Sequence, residues 1–156
     1  IAAGLVALLD HPEQMERMRT DPEVMPGAVE EILRWASPVS YFRRTATEDV
    51  VMHDAVISAG DRVTIWYPSA NRDDAAFDRP FAFDISRSPN PHVALGGGGM
   101  HYCLGANLAK REIRVMFEEL LARVATIEIT GEPEFAVQGI GNPIVLTLTN
   151  LPVRLG

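Results

Sequence analysis

His92-Val93-Ala94-Leu95-Gly96-Gly97-Gly98-Gly99-Met100-His101-Tyr102-Cys103-Leu104-Gly105 closes on the only cysteine of the chain, and its composition decides what the fold is built to hold. Four successive glycines let a backbone approach a flat ligand and adopt conformations closed to other residues. Immediately after Cys103 the apolar residues Leu108, Ile113, Met116, Phe117, Leu120, Leu121 and Val124 recur at helical spacing, which predicts a helix over about 104–124. Cys103 is therefore expected at a helix N-terminus, where the dipole and free N–H groups favour a thiolate. Gly105 and Ala106 keep the first turn small enough for a planar group to lie against it. A lone cysteine is more often a small buried hydrophobe. The glycine run also invites a phosphate reading, but Met100-His101 follows it in place of the Lys-Ser/Thr of a P-loop, and no strand precedes it. Zinc needs about four ligands, and only His101 and Cys103 are at hand.

Upstream, residues 1–20 read as helical, with a new turn at Pro12, and a second helix starts near Pro26 and runs to about Trp35. Ser37-Pro38 ends it. Val50-Val51-Met52, Ala55-Val56-Ile57 and Val63-Thr64-Ile65-Trp66 predict short strands separated by the turns His53-Asp54 and Ala59-Gly60-Asp61. Residues 67–100 show no periodic element and contain four prolines; so long a structureless stretch in a compact domain is usually functional. Strands return at Ile127-Glu128-Ile129 and Ile144-Val145-Leu146-Thr147-Leu148. The expected fold class is mainly α with small β-sheets, an α+β arrangement.

The 156 residues carry 14 basic and 21 acidic side chains, a net charge of −7 that argues against nucleic acid and anionic membranes as partners. No apolar run reaches the roughly 20 residues of a membrane span. Ile1-Ala2-Ala3-Gly4-Leu5 lacks both an initiator Met and a signal-peptide n-region, and reads as an internal start. One cysteine rules out a disulfide framework and suits a reducing cytoplasm.

Gly99-x-His101-x-Cys103-Leu104-Gly105 resembles the haem-binding loop of the cytochrome P450 superfamily, whose iron is held by a cysteine thiolate. The family pattern has Phe seven residues before the cysteine; here that position is Gly96, the glycine run is one residue longer, and Leu95 is expected to take over the packing. Ala106-Asn107-Leu108-Ala109-Lys110-Arg111-Glu112 is similar to the start of the family's helix beneath the haem. The resemblance implies that Leu95, Gly96, Gly97, Gly99, His101, Gly105 and Ala106 shape the cofactor site around Cys103. Glu31-Ile32-Leu33-Arg34 resembles the family's ExxR element, although alone such a pair is most often a solvated surface bridge. The third basic member of that structural lock is expected to be Arg87, with Arg79 second. Arg44 matches the arginine that binds a haem propionate, with His101 a second propionate donor; otherwise Arg44 is a charge at a strand edge, the reading preferred for Arg43. Val39, Ser40, Phe42 and Gly141 align with segments that touch substrate, or are ordinary turns. His11, His53 and His92 read as helix-start or turn residues without a role.

By resemblance, residues 1–156 are a partial single domain, the C-terminal haem-binding portion of the cytochrome P450 fold, without the N-terminal half and the long distal helix. The implied parent is a cytoplasmic haem-thiolate monooxygenase carrying haem b. It would insert one oxygen atom of O2 into a C–H bond of a hydrophobic substrate, with steroids or lipids as the candidate class. Electrons would come from NAD(P)H through a reductase and a ferredoxin-type donor, for which Lys110, Arg111 and Arg114 are a candidate surface; a solvated helix face is the plainer reading. The fragment alone would be inactive. The alternative is a haem-binding protein or degenerate fragment without turnover.

Overall fold

The computed structural model describes residues 1–138 and 145–156. Three helices lead the chain: α1 (Ala2–Leu9), α2 (Pro12–Thr20) and α3 (Met25–Ala36), with a single 3-10 turn at Pro22–Val24. Pro12, Pro22 and Pro26 all lie in first turns, where a missing N–H costs nothing. Asp21 accepts the Glu23 N–H at 3.1 Å and so starts the 3-10 turn. Ser37, at φ 37°, bends the backbone into the left-handed region and ends α3, its hydroxyl donating back to the Arg34 carbonyl at 2.7 Å.

Short strands follow: β1 (Tyr41–Thr45), β2 (Val50–Met52), β3 (Ala55–Ile57) and β4 (Arg62–Trp66). After them come the one-turn helix α4 (Tyr67–Ala70), a long irregular segment, and α5 (Ala106–Arg123). The chain ends in β5 (Ile127–Ile129), β6 (Glu134–Gln138), β7 (Val145–Asn150) and β8 (Val153–Leu155). The strands form antiparallel pairs, β1 with β4, β2 with β3, β5 with β8 and β6 with β7. The architecture is the mainly helical one with small sheets that the sequence predicts.

The core lies where α1, α3 and α5 meet, around Leu8, Ile32, Ile113 and Phe117, closed by Phe83 and Ile85 from the irregular segment. Gly4 lets α1 and α3 touch, since a Cβ there would come within 2.5 Å of Ile32 Cγ2. Gln14 of α2 pins the irregular segment, accepting the Ile85 N–H at 2.8 Å and donating to the Phe83 carbonyl. Arg19 donates to the carbonyls of Leu121 and Val124 and so caps the C-terminus of α5.

Three sequence expectations need correction. Leu108 and Met116, counted into the buried stripe of α5, are exposed; its buried face is Ala106, Ile113, Phe117 and Leu121, with Leu120 partly buried against the core, on a helix that packs against α2 and α3. The helix starts at Ala106, so Cys103 precedes its cap residue Gly105 by two positions. His92 is not a solvent turn residue, its side chain being only 5% exposed.

Candidate functional site

The cysteine loop is closed by its own backbone. The Cys103 N–H donates to the Leu95 carbonyl at 2.9 Å, and the Cys103 carbonyl accepts the Ala106 N–H at 3.1 Å. Between these bonds the chain turns through Gly96, Gly98 and Gly99 at φ values of 93°, 101° and 75° and a 3-10 turn over Gly99–His101. Gly96 is needed for space as well, because a Cβ there would press to 3.3 Å on the His101 carbonyl oxygen. Gly105 faces the sulfur, with its ideal Cβ position 4.0 Å from Cys103 Sγ.

Cys103 is a free, exposed thiol and opens onto a concave space of about 890 Å³. Among the predicted site residues, Val39, Phe42, Arg44, Leu95, Gly96, Gly97 and His101 line the same space. Gly99, Gly105, Ala106 and Ser40 do not: Ala106 is buried behind the loop, and the Ser40 carbonyl instead accepts the Tyr67 N–H at 3.1 Å. Gly141 lies outside the described residues. The Arg44 guanidinium donates to the Arg43 carbonyl at 3.1 Å, lies over the Phe42 ring, 5.7 Å from its centroid, and makes no ion pair among the described residues. The residues fit the haem that the resemblance implies. A thiol stands on one wall, a Cβ-free stretch of backbone beside it, apolar side chains around, and the cationic or donor side chains Arg44 and His101, which meet no acid among the described residues, can take carboxylates.

Behind the loop, Glu31, Arg34 and Arg87 are brought together. Arg34 Nε and Nη2 donate to Glu31 Oε2 and Oε1 at 2.8 and 2.7 Å, with both side chains wholly out of solvent. Arg87 Nε reaches Glu31 Oε2 at 3.2 Å and Asn90 Nδ2 reaches the same oxygen at 3.0 Å. Arg79 is not part of this group; it is exposed and pairs with Asp78 and Asp84. Remaining Arg34 N–H groups donate to the carbonyls of Asn71, Pro80 and Ala82, which ties the irregular segment to α3.

Two further residues hold the loop entrance. Asn71 is fully buried, donating to Ser37 Oγ and accepting the Val93 N–H, both at 2.8 Å. His92 Nε2 lies 2.9 Å from Glu30 Oε2, and Nδ1 accepts the Ala94 N–H at 3.3 Å. Lys110 Nζ reaches the other oxygen of Glu30 at 2.7 Å. Burial would raise the Glu30 carboxyl, but the bonds from Lys110 and His92 outweigh it and hold the group below its ordinary range. Burial pushes the His92 imidazole down from its ordinary value, against the pull of Glu30.

The family model described as Cytochrome P450 matches residues 5–133. The methyl-branched lipid omega-hydroxylase of Mycobacterium tuberculosis is 52% identical over 134 residues, covering 85% of this chain and 31% of that protein. The steroid C26-monooxygenase of Mycolicibacterium smegmatis is 43% identical over 145 residues, covering 92% of this chain and 33% of that protein. A Mycobacterium marinum cytochrome P450 solved with pseudoionone superposes at a TM-score of 0.90 with 42% identity, over 98% of this chain and 36% of that one. The chain thus spans about a third of the length of the curated relatives it matches. It belongs to the cytochrome P450 family.

Proposed function

We propose that the full-length protein carrying this chain is a haem-thiolate monooxygenase in which Cys103 is the axial ligand of haem b. The observation that carries the reading is a free thiol opening onto the same space as Arg44 and His101, whose donors have no acid to meet among the described residues. When bound, the haem supplies reductive activation of O2 and transfer of one oxygen atom into a substrate C–H bond. The chain's own residues bind and orient. The Leu95 carbonyl fixes the Cys103 amide, the glycine run leaves room for a flat face, and Arg44 and His101 pair with the propionates. Val39 and Phe42 would contact the substrate, with Ser40 and Gly141 further members of that wall. Glu31, Arg34 and Arg87 hold the irregular segment that carries the loop.

The substrate is a hydrophobic molecule of lipid or steroid type, the classes named for the two relatives. Electrons come from NAD(P)H through a reductase and a ferredoxin-type protein in the cytoplasm. Among the described residues no helix is long and apolar enough to cross a membrane. On the α5 surface, Lys110 is occupied by Glu30 and Arg114 by Glu118, which leaves Arg111 as the more available cation for the donor.

The test is the absorbance of the reduced, CO-bound full-length protein and of Cys103→Ala. A strongly red-shifted Soret band in the wild type, lost in the variant, is the expected result; the same band in both overturns the ligand assignment. NAD(P)H consumption matched by hydroxylated product separates a monooxygenase from a haem protein without turnover.

A further inference from the structure

We propose that His92 is a positioning residue of the cysteine loop, tying it to α3 through Glu30 while neutral and letting it go in acid; the inference rests on the haem-thiolate reading above. A backbone N–H can only donate, so the 3.3 Å contact from Ala94 N requires a bare Nδ1. The imidazole proton is therefore on Nε2, where it donates to Glu30 at 2.9 Å. Ala94 precedes Leu95, whose carbonyl receives the Cys103 N–H. The chain of contacts runs without a gap from α3 through Glu30 and His92 to the residue whose carbonyl closes the loop. Asn71 secures Val93, between the two His92-linked positions, from the other side.

A second proton on His92 would put N–H at Nδ1, facing the Ala94 N–H, and two donors cannot share that contact. The charged groups acting on His92 are Glu30 and Glu31 of α3 and Lys110 of α5. Burial outweighs the two carboxylates and keeps the folded imidazole below its ordinary value of 6.5. The unfolded or released loop thus takes up a proton first as the pH falls. The tether is complete above about pH 6.5 and is lost as the pH falls through the lower folded value.

The experiment follows the red-shifted CO band of the reduced full-length protein from about pH 8 to about pH 5, the span in which an imidazole titrates. Wild type should show a reversible loss of that band with a midpoint below about 6.5. His92→Gln keeps an N–H toward Glu30 but takes no proton; it should hold the band at neutral pH and lose the acid step. If the Gln variant does not load haem, His92→Asn, which keeps the acceptor toward Ala94, should lose the step in its place. An acid step unchanged in the variant, or none in wild type, overturns the inference. A wild type without the red-shifted band at neutral pH instead overturns the haem-thiolate reading, a result separable from the first.

Discussion

Glu31 and Arg34 meet through two parallel hydrogen bonds of 2.8 and 2.7 Å with neither side chain touching solvent. An enclosed ion pair repays its desolvation only when every polar atom is matched. Here Arg34 also donates to three carbonyls, and Glu31 also accepts from Arg87, Asn90 and the Asp84 amide. Removing one partner leaves an uncompensated buried charge, so Glu31→Gln or Arg34→Leu should cost about 3–5 kcal/mol in urea unfolding of the full-length protein. Arg34→Lys should rescue little, because an ammonium lacks the two-pronged geometry. A cost below about 1 kcal/mol, the level of a surface pair, contradicts this account.

What the sequence made legible was local chemistry and local periodicity. The glycine run with Cys103, the helix after it and the i,i+3 spacing of Glu31 and Arg34 each lie within a few residues. His92 and Asn71 were not legible in this way, since nothing near them in sequence says that a polar side chain will be buried. Glu30 is 62 residues from His92, and Val93 is 22 from Asn71. The exposure of Leu108 and Met116 has the same origin: periodicity shows that a helix has an apolar arc, and packing against α2 and α3 decides how much of it is covered. Strands β1, β6 and β8 escaped because their residues gain strand geometry only from distant partners, as Arg154 of β8 does from Glu128 of β5.

The glycines of the loop should differ among themselves. Gly98 sits at φ 101° and ψ −173°, a region essentially reserved for glycine, so Gly98→Ala should cost about 1–3 kcal/mol although the space around it is open. Gly97 has no such conformation, and a methyl there meets Val93 Cγ1 at an ordinary 3.6 Å. Gly97→Ala should therefore leave haem retention near wild type, while Gly96→Ala, strained and crowded, should lower it most. Equal haem retention in all three variants would remove the conformational argument.

Asn71→Ala takes a donor from Ser37 and an acceptor from the Val93 amide, both inside the protein. A buried N–H left without a partner costs about 1–3 kcal/mol, and the loss should appear in the urea midpoint. Because Val93 leads into the cysteine loop, the red-shifted fraction of the CO complex should drop with it. A stability loss with an unaltered CO band would mean that Asn71 supports α3 alone.

Asp84 gives a prediction whose pH dependence has a fixed sign. The Ser86 hydroxyl donates to its carboxylate at 2.6 Å and is the largest cause holding the group below 3.8; burial opposes this, and the Ser86 amide, Arg87 and Arg79 add to it. A carboxyl whose folded value is depressed contributes stability above its unfolded value and loses it as the pH falls through the folded one. Ser86→Ala should therefore lower stability at about pH 7 by about 0.5–1.5 kcal/mol, the ordinary net worth of one hydrogen bond. The gap between variant and wild type should then narrow as acid protonates Asp84 in both, since the bond it measures is one to the charged form. Urea unfolding at about pH 7 and about pH 3 reads both points, the lower lying below the unfolded value of a carboxyl. A gap of constant size across that range would assign the effect of Ser86 to something other than the carboxylate it faces.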